Sequence, residues 1–267
     1  VHPVLFQLGL FRVYSYGVLI ALGGVLSVRF WLRRREAMGI KKEEDFWLLV
    51  NALLVGGFLG GRVLYMFEYT RPFSADFWDS ALSLSRGFSV LGAFLGVLAA
   101  VWWFCRRVGA PAARLFDYVC VAAPVWHAFG RLGCFMAGCC FGRPTDLPWG
   151  VTFTDPRAMV DADLLGRHLH PTQLYEAAGD LLIAAALFKL VLPAVEERRQ
   201  PSGTVAACYF ASYAMLRFVV EFYRGDTVAT PFLGLTAGQG LCLLMIAGSA
   251  AFYASGRRAG RVRCIPS

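Results

Sequence analysis

The chain has 267 residues, 57% of them hydrophobic and only 16% charged, with a mean hydropathy of +0.54. A soluble domain carries about a quarter charged residues, so composition excludes a soluble enzyme and indicates an integral membrane protein. The net charge of +8 falls between apolar runs rather than on one surface, which is a mark of membrane topology and not of a nucleic-acid partner.

Seven apolar runs of about 20 residues, the length that crosses a bilayer, lie near 13–32, 46–67, 88–105, 115–138, 172–192, 204–222 and 235–255. The expected fold is all-α, a single polytopic membrane domain over 1–267 with seven transmembrane helices. Arg33, Arg34, Arg35, Lys41 and Lys42 follow the first run, and Arg106, Arg107 and Arg114 the third. Arg198 and Arg199 follow the fifth, and Arg257, Arg258, Arg261 and Arg263 the seventh. Basic connections stay in the cytoplasm, so the N-terminus is expected outside and the C-terminus inside. No positively charged stretch precedes the first run, so no cleavable signal peptide is expected.

Two outer segments exceed a turn. Residues 68–86 hold Pro72, Tyr69, Phe73, Phe77 and Trp78 and suit an interfacial arm. Residues 141–169 hold three prolines and a β-like piece, Trp149 to Phe153, and read as a small outer head with too little apolar content for a core of its own. Gly56/Gly60, Gly57/Gly61 and Gly92/Gly96 are small-xxx-small pairs, the signal of close helix packing in a membrane.

Charges inside the spans are few: Arg62, Glu68, Arg131, Glu176, Asp180, Arg217 and Glu221. By the topology above most lie at one depth in the outer half, which implies a polar cavity. The competing reading is a set of buried ion pairs, for example Arg217 with Glu221 at i,i+4. Tyr213, Arg217, Glu221 and Arg224 are spaced to share one helix face. The fifth span opens His170-Pro171-Thr172-Gln173-Leu174-Tyr175-Glu176; Pro171 suits a first turn, and Gln173 and Glu176 share a face. Arg131 lies in a run of small residues, Gly130, Gly133, Ala137, Gly138 and Gly142. An arginine fork beside glycine backbone suits a phosphate; snorkelling to the interface is the alternative.

Of eight cysteines, Cys105, Cys120, Cys208 and Cys242 read as small buried hydrophobes. Cys134, Cys139 and Cys140 form C-x4-C-C. A metal site would need about four ligands, with His127, His168 and His170 converging. A disulfide, or small residues lining a cavity, are the other readings.

Five stretches together resemble the prolipoprotein diacylglyceryl transferase family. They are Tyr14-Ser15-Tyr16-Gly17, Gly61-Arg62-Val63-Leu64-Tyr65, Gly130-Arg131-Leu132-Gly133 to Gly142, His170 to Glu176, and Arg217-Phe218-Val219-Val220-Glu221-Phe222. The resemblance runs from about Pro3 to Gln239. It implies a multi-pass bacterial inner-membrane enzyme of seven spans. That enzyme moves the diacylglyceryl group of phosphatidylglycerol onto the lipobox cysteine of a prolipoprotein and releases glycerol 1-phosphate. The implied partners are phosphatidylglycerol, a prolipoprotein signal peptide or another acceptor, and the membrane itself.

The family usually has His where Leu91 stands, Asn at Cys134 and Glu at Cys139. Arg131 and Arg217 are implied to stabilise the charge growing on the leaving phosphate, with no metal or cofactor. Glu221 or His170 is the expected base for a thiol that is mostly protonated at neutral pH, with His127 a further candidate. Tyr16, Arg62, Gly142, Gln173, Glu176, Tyr213, Arg224, Cys134 and Cys139 are expected to contact substrate. The altered Leu91, Cys134 and Cys139 leave open a paralogous transferase with another acceptor. A lipid-binding or transport protein and a thiol oxidoreductase are the remaining alternatives.

Overall fold

The computed structural model describes residues 2–8, 11–82, 87–227 and 234–262. The end of the expected arm, 83–86, and Arg263 lie outside them. The chain divides into two units, one of Val1–Trp31 with Asp117–Ser267 and one of Leu32–Phe116.

The first unit opens on an antiparallel hairpin, β1 (Val4–Leu8) and β2 (Phe11–Tyr14), ahead of and overlapping the first expected run at 13–32. Helix α1 (Ser15–Arg33) follows directly.

The second unit holds α2 (Glu43–Tyr69), α3 (Ala75–Leu82) and α4 (Val90–Val108). Glycines let α2 and α4 touch backbone to backbone: a Cβ on Gly56 would come 2.7 Å from the Gly96 carbonyl oxygen, and one on Gly60 would strike that of Gly92. Gly57 and Gly61 do otherwise, since Gly61 makes room for the Phe88 ring. The spacing predicts both pairs alike and cannot tell which face meets the partner. Ser89 caps α4, its hydroxyl accepting from the Gly92 N–H at 3.2 Å. In the arm, α3 buries Phe77 among Phe67, Phe73 and Trp78, while Phe73 and Trp78 stay exposed.

The first unit resumes within α5 (Ala112–Ala137). Gly138 ends that helix at φ 77°, with the Cys139 N–H reaching the Cys134 carbonyl and the Gly138 N–H that of Phe135. This is a Schellman ending, which calls for a residue able to enter the left-handed region. The head then runs to β3 (Val151–Thr152) and β4 (His168–Leu169), which pair antiparallel. Contrary to expectation the head has a small core, Phe141, Phe153, Val160 and Leu169, completed by Phe135 borrowed from α5. Arg157 grips Asp155 with Nε and Nη2, one bond to each carboxylate oxygen, and holds its carboxyl down to about 2.

Helix α6 (Thr172–Ala186) passes through a π turn, Leu187–Val191, into α7 (Leu192–Glu196). Pro193 lacks an N–H and its ring crowds the preceding turn; the wider turn accommodates it, with the Leu192 N–H reaching back to Leu187. Beyond it, Glu196 accepts a 2.6 Å bond from the Tyr118 hydroxyl of α5. Helix α8 (Thr204–Glu221) starts on the buried Asp117 carboxylate, which accepts from the N–H groups of Gly203 (2.6 Å) and Ala206 (3.0 Å). An anion there offsets the positive end of the helix. Helix α9 (Ala237–Val262) starts on a capping box: the Gln239 N–H donates to the Thr236 hydroxyl and the Thr236 N–H to the Gln239 side chain.

Six helical stretches among the described residues are long and apolar enough to cross a membrane: Ser15–Arg33, Glu43–Tyr69, Val90–Val108, Ala112–Ala137, Thr172–Glu196 and Ala237–Gly256. Helix α8 occupies the remaining expected run, and is the one that carries Arg217 and Glu221.

Candidate active site

Glu176 lies in the first turns of α6 and is 1% exposed. Two arginines meet on it. Arg131 of α5 pairs through Nε with one carboxylate oxygen, and Arg217 of α8 donates to the other at 3.0 Å. Arg217 also contacts Glu221 at 2.5 Å, the i,i+4 pair that the spacing predicts. Glu221 passes the chain on, its other oxygen accepting from the Thr236 hydroxyl at 2.7 Å. Two guanidiniums and two carboxylates are thus held in one low-dielectric row by α5, α6, α8 and the start of α9. The charges cancel within the row, which makes its burial tolerable. Arg131 uses only Nε on protein among the described residues, and five donors are available to it; its side chain keeps 14% of its surface open and that of Arg217 18%.

Further along the same helices His127 Nδ1 lies 2.8 Å from Asp180, whose side chain is wholly buried. The His127 ring stands edge-on to Tyr213 at 5.1 Å. His127 is therefore partnered by a carboxylate of α6 and is not among the cysteines. In the sequence Asp180 is only a charge within a span; its pairing across helices has no local signal.

The expected shared face of Tyr213, Arg217, Glu221 and Arg224 needs correction. Helix α8 ends at Glu221, so Arg224 has left the helix. It bridges to Gly142 as a strand and pairs with Asp226 at 2.5 and 2.8 Å. Gly142 sits where the chain crosses between His170 and Tyr223. A Cβ there would collide with the His170 carbonyl and come 2.9 Å from that of Tyr223, so only glycine fits. His170 stands beside these crossings, Nδ1 at 3.2 Å from the Tyr175 hydroxyl and its ring 5.1 Å from Tyr223. Trp149 of the head donates to the same Tyr175 hydroxyl at 2.9 Å.

Pro171 directly precedes α6, as expected, and the next two residues turn back onto the cysteine loop. The Thr172 hydroxyl donates to the Cys140 carbonyl and the Gln173 amide to that of Cys139, both at 2.8 Å. The Gln173 side-chain oxygen is buried with no hydrogen-bond partner. These bonds hold Cys140 at φ 59°, a costly region for a non-glycine residue. The sulfurs of Cys134, Cys139 and Cys140 lie within 4.8 Å of one another, and no histidine joins the group among the described residues. The Cys140 thiol is pushed well below the usual thiol range, by the Cys134 and Cys139 thiols bonding to it and then by the charges of Arg131 and Arg224. Tyr16 of α1 packs against Gly133, whose missing side chain gives it room, and interacts with Arg131 and the three thiols.

Arg62 belongs to the second unit. It is buried, and donates to the carbonyls of Ser80 and, at 2.7 Å, Gly87 on either side of the arm's end. Leu91 is half exposed on the first turn of α4. An apolar cavity of about 420 Å³ opens against the first half of α8, lined by Leu190, Ala207, Cys208, Ala211, Ile246 and Tyr253 among others. It contains none of the charged residues above.

The family model described as prolipoprotein diacylglyceryl transferase matches residues 3–255. Relatives named phosphatidylglycerol–prolipoprotein diacylglyceryl transferase align over most of both chains. The protein from Solidesulfovibrio magneticus is 37% identical, over 91% of this chain and 90% of its own. That from Clostridium tetani is 35% identical over 84% and 86%, and that from Azotobacter vinelandii 35% over 95% and 94%.

Proposed function

This chain belongs to the prolipoprotein diacylglyceryl transferase family, and on that premise we propose how its own residues carry the reaction. It is a multi-pass enzyme of the bacterial inner membrane. It transfers the diacylglyceryl group of phosphatidylglycerol to the lipobox cysteine of a prolipoprotein and releases glycerol 1-phosphate.

The observation that carries the mechanism is the meeting of Arg131 and Arg217 on Glu176. Glu176 holds two mutually repelling guanidiniums side by side before any substrate arrives. Their remaining N–H donors bind the phosphate of the donor lipid. As the bond between the glycerol carbon and the phosphate oxygen breaks, a second negative charge grows there, and pre-placed cations in a water-poor site stabilise it strongly. The unpartnered Gln173 oxygen accepts from a hydroxyl of the lipid's glycerol head. Tyr16, Tyr213, Arg224 and Gly142 border the same space, and Arg62 keeps the arm at its post.

Of the two proposed proton acceptors, Glu221 has both oxygens engaged, whereas His170 has one ring nitrogen free of protein partners among the described residues. His170 is the better base on that ground. The basic connections put the N-terminus and the head outside, with α8 as a seventh span shielded by its neighbours. A reporter near Asp155 then reads external and one after the last helix reads cytoplasmic; the reverse pattern removes the orientation and the outer placement of the site.

The reaction is tested by incubating the purified protein with phosphatidylglycerol and a lipobox peptide. Thioether-linked diacylglycerol and glycerol 1-phosphate are expected in equal amounts. Glycerol 1-phosphate without thioether would mean a hydrolase, and neither product would end the assignment.

A further inference from the structure

The geometry points to a zinc site formed by Cys134, Cys139 and Cys140 that holds the lipobox thiol of the acceptor as its fourth ligand. This rests on the transferase reading and adds to it the means by which the thiol is activated.

Three observations converge. The first is number and distance. The three sulfurs lie within 4.8 Å of one another, and among the described residues no histidine or carboxylate completes the group. Zinc–sulfur bonds of about 2.3 Å in a tetrahedron put sulfurs about 3.8 Å apart. Closing the triangle therefore moves each sulfur inward by about 0.6 Å at most, within reach of small side-chain rotations. Structural zinc sites use four protein ligands, and catalytic ones use three and keep one position open. Three is the number found.

The second is rigidity. Cys134 lies in the last turn of α5, Gly138 turns the chain, and Thr172 and Gln173 fix the carbonyls of Cys140 and Cys139 from α6. The thiols are thus presented by a braced loop, with Cys140 kept in a backbone conformation it would not otherwise favour.

The third is place. Cys134 stands three residues after Arg131 and so on the same helix face, and Gly142, two residues past Cys140, bridges to Arg224. Three thiolates on Zn²⁺ leave a net negative charge, which these arginines offset. A metal here sits beside the group proposed to hold the phosphate.

The chemistry needs such a device. The attacking thiol has a free pKa of about 8.5 and is mostly protonated at neutral pH. A thiol that binds zinc gives up its proton outright; His170 takes it. The bound sulfur then attacks the glycerol carbon of phosphatidylglycerol. The carbon–sulfur bond forms, the carbon–oxygen bond breaks, and its electron pair stays on the departing phosphate. The neutral thioether is a poor ligand and leaves the metal.

The test uses the full chain in detergent, stripped with a chelator and reloaded with Co²⁺ or Zn²⁺. Expected are about one metal per chain, the number an open three-ligand site holds, and sulfur-to-cobalt charge-transfer bands. Those bands shift on adding a lipobox peptide but not its Cys→Ser analogue. Transfer falls on the order of 10²-fold in the stripped enzyme and returns with Zn²⁺. The double variant Cys139→Ser, Cys140→Ser loses the bands, and a melting temperature close to the parent's shows that this is not misfolding. If that variant does not fold, the single variant Cys140→Ser is read the same way, because two sulfurs no longer make the three-ligand site.

Absence of bound cobalt, bands without sulfur character, or full transfer by the stripped enzyme each overturn the site. Binding is read without turnover, so a loaded protein that shifts with the peptide but forms no thioether would count against the transferase reading alone.

Discussion

The hydroxyl of Thr236 donates to Glu221 at 2.7 Å while also accepting the Gln239 N–H that starts α9. One oxygen thus belongs both to the charged row and to the beginning of the last helix. Thr236→Val keeps the shape and removes both bonds. It should cost about 1–2 kcal/mol, the scale of a lost N-cap, and reduce transfer because Glu221 loses its anchor. Thr236→Ser should retain both. Thermal unfolding in detergent beside the transfer assay reads the pair; unchanged activity in Thr236→Val would show that Glu221 is held without it.

Glu176 makes a sharper case. Glu176→Gln leaves Arg131 and Arg217 buried against each other with no shared anion. A loss of about 3–5 kcal/mol is expected, as for a buried pair robbed of one partner, together with loss of transfer. Arg131→Lys should behave differently. It keeps the charge and loses the planar fork, so stability should stay near the parent's while turnover falls on the order of 10²-fold. Full activity in Arg131→Lys would remove its phosphate role.

His127 and Asp180 can be separated from the chemistry by a double-mutant cycle. His127→Leu leaves a wholly buried carboxylate without its 2.8 Å partner and should destabilise by about 3–5 kcal/mol. Adding Asp180→Leu should restore most of that. Recovery of stability with recovery of transfer marks the pair as packing; recovery of stability alone assigns it work in the reaction.

Gly142→Ala puts a methyl against the carbonyls of His170 and Tyr223. Overpacking of this kind costs about 1–3 kcal/mol, and here it would part the strand crossing that carries His170 and Arg224. Gly240→Ala, on α9 with open space around it, should be neutral or stabilising by about 0.5–1 kcal/mol. Similar effects from both would mean that the crossing tolerates movement.

Hydropathy and charge made the spans legible, because both are local and repeated along the chain. Helices α1, α2, α4, α5, α6 with α7, and α8 fall on the expected runs to within a few residues, and α9 continues past its run to Val262. The hairpin of β1 and β2 was hidden, since Phe6, Val13 and their neighbours read as apolar lead-in to a span. Arg217 with Glu221 was visible as an i,i+4 step, but the sharing of Glu176 was not. It depends on how three helices are rotated against one another, which no spacing within one helix reports. Arg224 misled for a related reason. A step of three continues a helix on paper, yet α8 stops at Glu221 and the chain turns to pair with Gly142. The cysteines were readable as a spacing without a purpose. Their convergence needed the Schellman turn at Gly138 and the bonds from Thr172 and Gln173.

The π turn at Leu187–Val191 amounts to one surplus residue in an otherwise continuous helix. Removing any one residue there would close the wide turn into ordinary winding and leave the helix beyond it nearly in place, but without the room that the wide turn gives Pro193. Pro193 would then meet the preceding turn head-on. The length of that segment is therefore fixed to the residue, although its side chains, Leu187 apart, face largely outward. Substitutions in it should be accepted freely where single deletions are not.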